Sequence, residues 1–73
     1  MIYYKKNDSI YYQFDPVTLT YREAFISNTQ KRITEIRDEK LYNDALTRVQ
    51  GANLESADEP SFTSFLNNVK SLL

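Results

Sequence analysis

The sequence predicts an α+β fold, a three-stranded antiparallel β-meander followed by helices, and three observations carry that prediction. Short aromatic and β-branched segments separated by turn formers fill the first third of the chain. Beyond them, apolar residues recur at helical spacing, first in a central stripe and then in a longer one that reaches the last residue. Length sets the third limit: 73 residues make one domain with one core, so the helices must be what covers the sheet.

The strands come first. Residues 2–6 and 10–14 flank Asn7-Asp8-Ser9, a turn-forming tripeptide. A three-residue loop pairs Lys6 with Ile10, Tyr4 with Tyr12 and Ile2 with Phe14. That register gathers Ile2, Tyr4, Ile10, Tyr12 and Phe14 on one face, whereas a one-residue slip would scatter them. Asp15-Pro16-Val17-Thr18 then reads as a type I turn into a third strand over residues 19–26. Counting out from Phe14 and Leu19 pairs Tyr12 with Tyr21 and Tyr11 with Arg22. Leu19 and Tyr21 join the apolar face, and Tyr3, Lys5, Tyr11, Gln13, Thr20 and Arg22 are left on a face expected to stay open.

A central helical segment is expected over residues 28–50. Ser27 and Gln30 have capping-box spacing, and Leu41, Tyr42, Ala45, Leu46 and Val49 form one stripe. Ile33 and Ile36 fall off that stripe, so the helix bends or splits near residues 38–40. A fourth strand over Lys31 to Arg37 is the weaker reading, because alternation there is poor. Gly51, the single glycine, sits where a left-handed residue would end the helix. After a polar loop, Asp58 caps a C-terminal helix over residues 59–72, with Pro60 in its first turn. Phe62, Phe65, Leu66, Val69, Leu72 and Leu73 give it a continuous apolar stripe.

Composition narrows the function. With no histidine and no cysteine, the commonest general base, the strongest nucleophile, the disulfide and the ordinary zinc site are all absent, and no enzyme is expected. Asp38-Glu39 and Asp58-Glu59 match no calcium loop and read as a helix turn and a helix start, so no catalytic, cofactor or metal residues are assigned. A net charge of −1 argues against uniform attraction to nucleic acid or anionic membrane. No apolar run approaches a signal peptide or a membrane span, which leads to an expected place in the cytoplasm or in an assembly built there.

Six tyrosines in so short a chain suit either a core or an interface. The leading expectation is therefore a protein–protein interaction module, a small accessory or structural subunit of a larger assembly. Virion or tail components and small inhibitors from mobile elements are chains of this kind. Its partner surface would be Tyr3, Lys5, Tyr11, Gln13, Thr20 and Arg22. A second interface, including a homo-oligomeric one, would use Phe65, Val69, Leu72 and Leu73, a stripe that more simply covers the chain's own sheet. The alternative is single-strand nucleic-acid binding, with the tyrosines of the open face as stacking platforms among its cations.

Overall fold

The structure, a computed structural model, describes residues 1–73. It is α+β, an antiparallel five-stranded sheet with two helices. The strands are β1 (Ile2–Lys6), β2 (Ile10–Asp15), β3 (Thr20–Ile26), β4 (Lys31–Arg37) and β5 (Glu55–Ser56). The helices are α1 (Glu39–Gly51), between β4 and β5, and α2 (Glu59–Leu72). In space the strands run β4-β3-β2-β1-β5, so the four long ones form a meander and the short one closes its far side.

The first hairpin has the expected register, with Lys6 opposite Ile10 and Ile2 opposite Phe14. Asn7 takes a left-handed conformation (φ 55°) inside its three-residue loop, which asparagine tolerates better than most residues. The second hairpin is two residues out from expectation: Phe14 pairs with Tyr21, Gln13 with Arg22 and Tyr11 with Ala24. Asp15 belongs to the strand, its carboxylate accepting the Val17 and Thr18 N–H groups (3.0 and 3.4 Å), so the loop keeps its length and moves on by one residue to 16–19. Leu19 then sits at φ 54°, outside any ladder, and pairing begins at Asp15 and Thr20. A shift of two preserves the sorting of faces, so Tyr21 still joins the Phe14 side.

Residues 31–37 form a strand and not the first half of a helix. The Ser27 hydroxyl accepts the Thr29 and Gln30 N–H groups (3.3 and 3.0 Å), the bonds a helix cap would make, but here they close the β3–β4 turn. Helix α1 starts later, where Asp38 accepts the Leu41 N–H (2.9 Å). Its end also differs. Gly51 stays helical, Ala52 is the cap, and Asn53 takes the left-handed position (φ 55°). Helix α2 matches its predicted bounds, with Asp58 accepting the Ser61 N–H (2.9 Å) and Pro60 in the first turn.

The helices lie on opposite faces of the sheet. Under α1, Tyr42, Ala45 and Val49 pack with Tyr12 and Phe14, and Ile2, Tyr4, Ile10, Leu19 and Tyr21 surround them. Under α2, Phe62, Leu66 and Val69 pack with Tyr11 and Ala24, beside Tyr3, Ile26, Ile33 and Phe65. The face expected to be open is thus the floor of a second apolar cluster. Small residues allow it: Ala24 is fully buried and lets α2 approach β3 closely.

Candidate functional site: a free sheet edge and the polar groove beside it

The two outer strands of the sheet are treated differently. On the β1 side, β5 pairs Ser56 with Tyr4 and Glu55 with Lys5, and the Ala57 N–H then donates to the Tyr3 carbonyl (3.0 Å). Lys5 and Glu55 add an ion pair at 3.7 Å. On the other side, β4 pairs only with β3, leaving a seven-residue edge with no strand beyond it. Such an edge displays unpaired backbone donors and acceptors to any chain that can align with it.

The phase of the ladder tells which groups face outward. The Ser27 N–H donates to the Gln30 carbonyl (2.8 Å), so these two residues form a hydrogen-bonded pair. Alternation along an unbroken antiparallel register makes Arg32, Thr34 and Ile36 the bonded partners of β3. Lys31, Ile33, Glu35 and Arg37 therefore turn their N–H and C=O groups away from the sheet. Their side chains share the α2 face, since Ile33 packs into the α2 cluster.

A shallow groove of about 280 Å³ adjoins this edge, on the part of the α2 face nearest the β2–β3 turn. Gln13, Asp15, Thr20, Arg22, Glu35 and Arg37 are among its lining residues. Its floor is a polar row that register lays across the sheet. The Gln13 amide donates to the Tyr3 hydroxyl (3.2 Å), Arg22 Nε donates to Gln13 Oε1 (2.7 Å), and Glu35 stands 3.9 Å from Arg22. The Arg22 guanidinium also lies over the Phe62 ring (5.7 Å), which fixes it between helix and groove. Neither Lys31 nor Arg37 has an ion-pair partner within the chain.

The sequence-predicted partner residues divide between groove and core. Gln13, Thr20 and Arg22 line the groove. Tyr11 is buried, stacked on Phe65 at 4.3 Å with Lys5 over its ring (5.9 Å), and Tyr3 packs against Phe62 at 5.5 Å. Phe65 and Val69 likewise belong to the chain's own core, while Leu72 and Leu73 at the end of α2 are exposed. The edge residues Lys31, Ile33, Glu35 and Arg37 were missed because their segment reads as helical. Their period-two placement after a Ser-Asn-Thr turn was the available signal.

No three acidic side chains converge where a metal ion would bind, and no helix is long and apolar enough to cross a membrane. Comparison with protein-family models, curated proteins and solved structures finds no match to this chain.

Proposed function

We propose that this chain is a non-catalytic protein–protein interaction module, a small subunit of an assembly built in the cytoplasm, which accepts a strand along β4. The observation that carries this reading is the asymmetry of the sheet: β5 pairs with β1 on one side, while no strand lies along the outer side of β4. Backbone hydrogen bonds to a partner strand supply affinity in this mode, and flanking side chains supply selectivity. Here Arg22, Thr20 and Arg37 in the adjoining groove are the selective elements, with Arg37 free to take an acidic group. Charges along β4 also oppose indiscriminate strand pairing, so an arriving strand must complement them.

Single-strand nucleic-acid binding has less support, because the rings that would stack on bases lie against α2.

The test uses Glu35→Pro. The Glu35 N–H faces outward, so proline removes a donor from the free edge and none from the β3–β4 ladder. Tagged wild-type chain, incubated with nuclease-treated source extract, is expected to retain a defined protein that the folded Glu35→Pro chain does not. Equal capture by both would discard the edge as the contact surface, and a protein captured only from extract without nuclease treatment would favour nucleic acid.

A further inference from the structure

Resting on the reading of β4 as a docking edge, we infer that the strand it accepts is β4 of a second copy, paired antiparallel about a two-fold axis through Ile33. Register and charge together select this pairing. A two-fold pairing of identical strands must be isologous, so each residue's partner is fixed once the central residue is chosen. Centring on Ile33 sets Lys31 opposite the partner's Glu35, Glu35 opposite the partner's Lys31, and Ile33 opposite its own copy. All three are residues whose backbone groups face outward, so these pairs exchange hydrogen bonds directly.

The neighbouring registers are poorer. A centre at Arg32 places that arginine opposite itself, and a centre at Glu35 does the same for the glutamate. A centre at Thr34 sets Lys31 against Arg37 and Ile33 against Glu35. A centre at Ile36 matches Glu35 with Arg37, but little strand remains to pair before α1 begins at Glu39. Only the Ile33 centre joins unlike charges over most of the strand with an apolar pair between them.

Side chains already in place fit that register. Glu35 has only the 3.9 Å contact to Arg22 and is mostly exposed, so it can take a second cation, and Lys31 has no acid of its own. The row Tyr11–Ala24–Ile33 would continue through the partner's Ile33 as one apolar band under both copies of α2. Helix α2 starts beside Tyr3 of β1 and packs across β2, β3 and β4. Its exposed end, Leu72 and Leu73, thus lies on the β4 side, towards the axis.

The experiment is a complementation of charges read by sedimentation and native mass spectrometry. Wild-type chain is expected to be dimeric at about 100 μM, a concentration that fills any site of micromolar Kd. Lys31→Glu alone places glutamates opposite glutamates, and Glu35→Lys alone places lysines opposite lysines. Each is expected to weaken the dimer about tenfold or more while its circular dichroism stays native. Mixed in equal amounts, the two variants restore both unlike pairs and should form a heterodimer. A wild-type monomer at that concentration overturns the self-pairing, and the broader edge reading then stands or falls on whether Glu35→Pro loses its captured protein. A wild-type dimer indifferent to both reversals overturns it too, because the interface then lies elsewhere. Cross-linking checks the register separately in this cysteine-free chain. Ile33→Cys should oxidise to a disulfide-linked dimer, its Cα atoms being about 5.5 Å apart in a hydrogen-bonded antiparallel pair. Ile36→Cys should not, because the register separates the two copies by about 20 Å. The reverse pattern excludes the Ile33 axis.

Discussion

Tyr42 carries the one buried side-chain polar atom in this molecule without a hydrogen-bond partner. Its ring meets Phe14 edge to face at 5.7 Å, so the apolar part of the side chain is well used and the hydroxyl is what the cluster does not accommodate. Tyr42→Phe is accordingly expected to stabilise the fold by about 1 kcal/mol, read as a higher urea midpoint at unchanged slope. A lower midpoint would mean that the hydroxyl has a partner after all. Burial, helped by the charge of Asp15, raises the Tyr42 phenol pKa, and burial followed by Glu23 raises that of Tyr12. Two carboxylates move the other way. The Val17 N–H holds the Asp15 pKa below its ordinary range, and the hydroxyl and then the N–H of Ser61 do so for Asp58. A depressed carboxylate contributes stability that is complete above the unfolded value, about 4, and is lost as pH falls through the folded one. A phenol with a raised pKa works oppositely, and stability declines as pH climbs past about 10. Urea midpoints should therefore be flat near neutrality and fall at both extremes. Asp58→Asn, which keeps an acceptor at the cap, should reduce the acid slope, and an unchanged slope would show that Asp58 is not responsible.

At the scale of elements, β4 governs both the topology and the candidate site, and it was the least legible part of the sequence. Strands are recognised by alternation, and alternation requires one wet face. Ile33 packs towards α2, whereas Ile36 lies opposite Tyr21 on the α1 side. Two isoleucines three residues apart on opposite faces of a strand look the same in sequence as two on one face of a helix. The Ser27 turn deepened the ambiguity, since a serine hydroxyl accepting two forward N–H groups begins a helix or closes a hairpin equally well. By contrast, β1, β2 and α2 were legible because each presents a single periodic signal with its own turn or cap. The ladder phase assigned to β4 can be tested within the fold. The Thr34 N–H faces β3, so Thr34→Pro leaves a β3 carbonyl unpaired and should destabilise by about 1–3 kcal/mol. Glu35→Pro, one residue on, should be markedly milder. Thermal melts of the two variants decide it, and the opposite order would reverse the assignment of outward groups.

The whole molecule divides its apolar residues between two thin layers, and this explains both its modest core and the face that the sequence misassigned. Only 11 of 73 residues are buried, split into clusters of five on either side of the sheet, with Gln13 the remaining one. The sequence identified the α1-facing residues because Ile2, Tyr4, Ile10, Tyr12 and Phe14 all fall on one face as apolar or aromatic side chains. The other face mixes Tyr11 and Ala24 with Lys5, Gln13 and Arg22, and such a mixture reads as solvent-exposed although a helix covers half of it. A domain of this size holds about 3–5 kcal/mol of net stability, so neither cluster can be dispensable. Yet their side chains do not touch, because the sheet itself stands between them. Val49→Ala under α1 and Val69→Ala under α2 each remove two buried methyl groups and should destabilise by about 1–2 kcal/mol. Groups that far apart and sharing no partner should add to within about 0.5 kcal/mol in the double variant. Trimethylamine N-oxide would keep all four proteins of the cycle folded enough to measure. Additivity would mean that the sheet is a rigid partition, so a strand added at β4 could be read by the α2 face without disturbing the α1 face. A coupling above about 1 kcal/mol would mean that the sheet transmits packing across its thickness, and docking at the edge would then be felt on both sides.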